Sequence, residues 1–255
     1  MNKPNVILLF IFTLLILSCK EEKHSFPTEK RFWNINDYKS ASLELNYGYE
    51  DDEKLPSFDD PETNIIVKKL VDHENYKVVL DDNELGLKHR NQEAEAFFSQ
   101  WKDMINIYQG MDLKDNYIYD KENIAVYEFG LGLQLRYFKL GNDELIELVD
   151  DPNSLSTLNR INSNVQTLIE NFNNYLDKIN EEKSYSDEGI TMIAKGIGTY
   201  FTQLVNLYPD ANYSNMSKKI ELMSDKSNSE EIKKALDNLK NLIESKNIKN
   251  NISEE

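Results

Sequence analysis

The chain predicts an all-α protein, an up-and-down bundle of about six to eight helices on an N-terminal tether. Two observations carry the prediction. Apolar residues recur at three- and four-residue steps through most of the sequence after residue 59, the period of a helix with one buried face. Short polar stretches with capping residues separate those stripes, and short connections make neighbouring helices antiparallel. No period of the helical-repeat kind is present.

The elements follow in order. Residues 32–58 admit two readings. Leu43, Leu45 and Tyr47 alternate as in a half-buried strand, while Asn36 can cap a short helix through Leu45. Asp59-Asp60-Pro61-Glu62 reads as a helix start, with the helix ending near Asn75. Tyr76 to Leu80 is a short apolar run that suits an extended segment before the turn Asp81-Asp82-Asn83. Ala94, Phe97, Phe98, Trp101, Met104, Ile105 and Tyr108 form one stripe that Gly110 stops.

Ile124 to Leu140 is apolar on nearly every side, the pattern of a helix at the centre of a bundle. Gly141 is expected to end it, with Asn142-Asp143 capping a short helix through Val149. The clearest stripe runs from Ile161 through Phe172 to Ile179. Ser186-Asp187-Glu188 opens a helix that closes before Pro209, Ser214 starts a short one, and Ser229-Glu230-Glu231 starts the last. Residues 246–255 are polar and are expected to form a disordered tail.

The N-terminus carries an address. In MNKPNVILLFIFTLLILSC, Lys3 precedes an apolar run from Val6 to Leu17, then Ser18 and Cys19, the single cysteine of the chain. About a dozen apolar residues are too few to span a bilayer and suit the core of a cleaved signal. The segment resembles a bacterial lipoprotein signal whose lipobox ends in the cysteine that is lipidated. The resemblance implies a signal peptide at 1–18, lipidation of Cys19, a flexible tether through residue 31 and a helical domain over 32–245. Leu17 departs from the commoner Ala or Ser. Two or three acyl chains hold a protein on a membrane, at about 0.8 kcal/mol per buried methylene. Lys20 in place of Asp implies the outer membrane. Lys20-Glu21-Glu22-Lys23 resembles the surface-export signal of Bacteroidota lipoproteins. A solvated charged linker has the same composition, so a surface or a periplasmic position both remain open.

Composition narrows the partners. The formal charge of −16 opposes nucleic-acid binding, which needs Lys and Arg on phosphates. It also opposes flat adsorption on anionic lipid. Membrane contact therefore falls to the lipid, and a protein is the expected partner.

Motifs of known chemistry are missing. His73-Glu74 begins like a zinc-protease helix, but Lys77 stands where the second His is required. Asp81 to Gln92 lacks the closing Glu of a calcium loop. No nucleophile elbow is present, and neither a metal nor a cofactor is expected. The 14 Tyr and 11 Phe suit glycan stacking, but at helical spacing they suit a core better.

One constellation stands out. Ala125, Glu128, Gly132 and Arg136 share one stripe of the central helix. Glu128 and Arg136 either line a small-ligand pocket with Tyr residues or mark the one solvated edge of that helix, and the second is the simpler reading. The leading functional expectation is a non-catalytic envelope lipoprotein that binds a protein partner, for instance a toxin, or serves as an accessory component. The alternatives are an enzyme acting on envelope or extracellular glycan through an Asp/Glu pair, which leaves no motif, and a small-ligand-binding lipoprotein. Replacing Cys19 by Ala should release the protein from membranes and abolish its labelling by a palmitate analogue. Equal labelling of both forms would contradict the lipoprotein reading.

Overall fold

The computed structural model describes residues 24–110 and 117–253. Cys19, the expected signal segment and the charged run after it lie outside the described residues. Every regular element among the described residues is helical, so the all-α expectation holds.

Helix α1 (Ile35–Glu50) settles the ambiguous segment. It is capped by Asn34, not Asn36. The Asn34 side chain accepts from the N–H groups of Asn36 and Asp37, and the Asp37 carboxylate accepts from the Asn34 N–H. This reciprocal cap satisfies donors that the first turn leaves free. Tyr38, Ala41, Leu45 and Gly48 are buried along one stripe, whereas Leu43 and Tyr47 are 56% and 52% exposed. The helical period wins because it buries an aromatic ring that the strand reading ignored.

The next stretch is broken up more than its sequence suggests. The Asp60 carboxylate accepts from the Glu62 N–H and closes a turn, so α2 (Asn64–Leu70) begins after Pro61 and not at it. A second turn at Asp72 leads into α3 (Glu74–Leu80). The run expected to be extended is therefore helical, with Tyr76 and Leu80 buried one turn apart.

Two long helices follow, α4 (Leu87–Gly110) and α5 (Asp120–Glu147). Helix α5 passes through Gly141 without stopping. A mid-helix glycine costs only about 1 kcal/mol against Ala, and burial of Leu140 and Leu145 on either side of it outweighs that. Helix α6 (Leu155–Leu176) is capped by Ser154 and tightens into a 3-10 segment over Asp177–Ser184. Ser186 caps α7 (Asp187–Gly196), which runs through a π-helical turn (Ile197–Phe201) into α8 (Thr202–Leu207). Helices α9 (Ser214–Lys226) and α10 (Glu230–Ser253) finish the domain, and α10 extends into the stretch expected to be a tail.

Side-chain bonds fix the order of packing. Between α4 and α5, Asn91 meets Glu144, Phe98 meets Tyr137 and Trp101 meets Val126. Between α5 and α6, Asn142 meets Asn164, Gln134 meets Asn171 and Glu128 meets Tyr175. One number rises as the other falls, so both pairs are antiparallel, as an up-and-down bundle requires.

Helix α5 divides the interior into two cores. Val126, Phe129, Leu133 and Leu140 pack with Trp33, Tyr38, Tyr76, Phe97 and Trp101 of the N-terminal lobe. Ile124, Leu131 and Leu135 pack with Phe172, Tyr175, Phe201 and Leu236 of the C-terminal lobe. A helix apolar on nearly every side is what a shared wall between two cores needs.

The head of α5 is polar and buried, and each of its first four residues bonds another segment. The Asp120 carboxylate accepts from both the N–H and the hydroxyl of Ser186, each at 2.7 Å. Lys121 reaches Asp59 and Glu188. Glu122 accepts from the Ser57 hydroxyl and the Phe58 N–H. Asn123 accepts from Lys178 Nζ at 2.5 Å. Four consecutive residues thus tie three other segments to one helix end.

The segment before α1, expected to be tether, lies against the body. Both nitrogens of His24 bond carboxylates, Glu44 and Glu53, at 2.9 Å each. Phe26 packs on the N-terminal core, and the Trp33 indole donates to the Pro27 carbonyl.

Candidate functional site

The stripe Glu128–Gly132–Arg136 is where the two lobes meet, and both of its charged residues are half-buried. Above Gly132 the N-terminal lobe contributes His73 and the C-terminal lobe contributes Tyr200. Their rings stack at an interplanar angle of 11°. A side chain at position 132 would collide with this arrangement, because a Cβ there falls 2.5 Å from the Tyr76 hydroxyl. The glycine is a seat for the seam. Gly196 does the same on the facing helix, where a Cβ would lie 2.4 Å from Glu128 Oε1. Gly198, two residues further on, has open space around it.

His73 joins the lobes chemically as well as by stacking. Its Nδ1 bonds the Tyr76 hydroxyl and its Nε2 bonds the Tyr200 hydroxyl at 3.0 Å. A neutral imidazole offers one donor and one acceptor, so one tyrosine gives a proton to the ring and the other takes one from it. Burial, reinforced by Lys77 and Arg136, lowers the His73 pKa to about 4. The ring therefore stays neutral under physiological conditions and both bonds hold. Tyr200 sits in the π-helical turn. Such turns shift side chains out of the regular helical register.

Arg136 is held in a bidentate pair by Asp81, at 2.7 and 2.9 Å, across the ring of Tyr76. Glu128 lies on the other side of the seam and accepts from the Tyr175 hydroxyl at 2.9 Å. Tyr175 is fully buried, and a buried hydroxyl needs a partner. Burial raises the Glu128 pKa to about 7, against the opposing effects of Tyr175 and Lys195. Glu128 and Arg136 do not pair with each other. They stand at the two ends of one polar seam.

Outside the seam opens a cleft of about 640 Å³, lined in part by Lys68, Lys77, Arg136, Asp72 and Glu74. Its cations and carboxylates nearly cancel once Asp81 is counted with Arg136, so the cleft is not an anion trap. Among the described residues, the causes of the Glu128 shift include no second carboxylate. Glu44 and Glu53 both bond the His24 ring, which lies between them. Among the described residues no group of His, Cys, Asp and Glu is placed to hold a metal ion.

The pair Glu128 and Arg136 was visible in the sequence as two charges on an apolar helix. His73, Tyr76, Tyr175, Tyr200 and Asp81 were not. His73 was passed over because its motif fails as a metal site, and nothing local announces a contact 127 residues away.

A second feature stands at the far end of α5. Ile146, Leu148, Leu155 and Leu158 are 40%, 75%, 75% and 43% exposed. The antiparallel register of α5 and α6 places all four at the tip of that hairpin. Glu147, Asp150 and Asp151 are exposed around them, with Arg160 as the nearby cation.

No protein-family model, no curated protein sequence and no solved structure matches this chain.

The seam carries a pH signature. Glu128 has a folded pKa raised from 4.5 to about 7, so the native state holds its proton more tightly than the unfolded chain does. Its contribution therefore falls as pH rises from about 4.5 to 7, by a few kcal/mol in all. Glu128→Gln keeps the bond to Tyr175 and should remove that loss. Unfolding free energies measured at pH 5 and pH 8 should show the variant gaining on the parent at the higher pH. An equal difference at both values would mean that Glu128 is solvated.

Proposed function

We propose that the protein is a lipid-anchored envelope protein of non-catalytic type that binds a partner protein through the tip of the α5–α6 hairpin. The observation that carries this reading is that Ile146, Leu148, Leu155 and Leu158 are all exposed at one hairpin tip, with a rim of acidic residues. Single exposed apolar residues are ordinary, but four at one tip beside charged residues suit an interaction surface. The rim selects the partner. It should present an apolar anchor among basic residues, since opposite charge speeds encounter and sets register.

The position of the tip fits an anchored protein. His24, five residues after Cys19, docks beside Glu53. Leu55 donates to the Tyr119 hydroxyl at the head of α5. The tip lies at the other end of a 28-residue helix, roughly 42 Å away at 1.5 Å per residue. A lipid on Cys19 would place the patch at the membrane-distal end. The polar seam supports binding over catalysis, because its imidazole, guanidinium and Tyr175 hydroxyl are each engaged by another side chain of the protein.

A photo-crosslinker at Leu148 tests the reading in intact cells. It should give one defined heterologous adduct, weakened by salt and lost on Leu155→Lys. That substitution is on the surface and should change stability by no more than about 0.5 kcal/mol. No adduct, or an adduct indifferent to Leu155→Lys, would contradict the proposal. A band at twice the mass of the chain would make the tip a dimer contact instead.

A further inference from the structure

One cleft differs in chemistry from the others. It opens on the flank formed by α4, α5 and α6, away from both the polar seam and the hairpin tip, and encloses about 420 Å³. Phe98 and Tyr137 stack in its wall, with ring centroids 4.8 Å apart and an interplanar angle of 11°. Trp101 lies beside them, 5.7 Å from Phe98. The amides of Gln134, Asn171 and Asn174 also line it. Lys102 is the one charged lining residue, and its ammonium sits 4.6 Å over the Phe98 ring. No carboxylate lines this cleft, in a chain with 45 Asp and Glu. Four other clefts among the described residues each contain at least one.

The tryptophan is deliberately seated. A Cβ at Gly130 would lie 2.0 Å from the indole ring, and the indole N–H donates to the Val126 carbonyl at 2.7 Å. The polar edge is thus used inward and the ring is pinned. Gln134 is 1% exposed, and its oxygen accepts from Asn171 at 2.8 Å. Asn171 is half-buried, and its bond to the buried Gln134 orients its amide before any ligand arrives, which lowers the ordering cost of binding.

A matching ligand needs an apolar face for the rings and uncharged groups that both donate and accept for the amides. It must fit a space of the size that holds small molecules. We infer that this cleft binds a neutral pyranose unit of a glycan. A sugar ring presents C–H groups on its faces and hydroxyls around its edge, which meets both demands. An anionic ligand has only Lys102 to pair with, and a cationic one finds no carboxylate in the lining.

The chain's two tryptophans make the test direct, because Trp101 lines the cleft while Trp33 does not, so a ligand-induced fluorescence change reports Trp101. The protein is titrated with maltotetraose, cellotetraose, chitotetraose and uridine monophosphate. At least one of the three neutral oligosaccharides should change the emission saturably at millimolar concentration or below. Tyr137→Ala and Asn171→Ala should each weaken that binding about tenfold or more with an unchanged far-UV circular dichroism spectrum. Asn174→Ala, at an exposed position, carries the same expectation should Tyr137→Ala fold poorly. No saturable change with any neutral oligosaccharide up to about 10 mM, equal binding by all variants, or a preference for the nucleotide would overturn the proposal.

Discussion

The four buried polar residues at the head of α5 are the constraint on which the rest of the architecture depends. Asp120, Lys121, Glu122 and Asn123 are each no more than 8% exposed. Successive residues of a helix point about 100° apart, so four in a row reach almost all round it. Together they meet three other segments: the start of α7, the loop of Ser57, Phe58 and Asp59, and Lys178 of the 3-10 turn. Burying such groups is costly unless every one is paired. The arrangement therefore favours one relative placement of the two lobes over others that would bury a similar apolar area. Glu122 shows the cost. Burial raises its pKa despite bonds to Phe58 and Ser57, and its second oxygen has no partner among the described residues.

From that end the shared helix sets everything that follows. Its apolar faces supply both cores, its glycines seat the side chains that cross between lobes, and its length separates the strap at His24 from the exposed tip at Leu148. The polar seam at His73 and Tyr200 and the knot at Asp120 to Asn123 both join the same two lobes. The seam holds two groups whose stabilising contributions change with pH in opposite senses. His73 loses stabilising power as pH falls from about 6.5 through 4, because the unfolded imidazole binds the proton first. Glu128 works in the opposite direction. Their contributions oppose one another across the mildly acidic range.

What the sequence made legible was the periodic part of the fold. The stripes of α4, α6 and α7, the cap at Ser186 and the all-round apolar character of α5 are local patterns with local causes. The misreadings have equally physical origins. Gly141 was read as a stop because intrinsic propensity was weighed without the packing that overrides it. Tyr76 to Leu80 was read as extended because a five-residue apolar run has no period to measure. Asn34 was overlooked as a cap because Asn36 stands two residues later. In the site, Glu128 and Arg136 were legible as charges out of place, but their partners were not. His73 and Asp81 flank α3, Tyr175 lies in α6 and Tyr200 in the π-helical turn, three segments that only the folded arrangement of α5 brings together.

The central claim is that α5 couples two cores into one cooperative unit. Both tryptophans, Trp33 and Trp101, lie in the N-terminal core, so their fluorescence follows that lobe, while far-UV circular dichroism follows all helices. Equilibrium unfolding in urea, monitored by both signals on the same samples, tests the claim directly. The account predicts a single transition with coincident midpoints and slopes. A fluorescence transition complete at lower urea, with most of the helical signal still present, would contradict it.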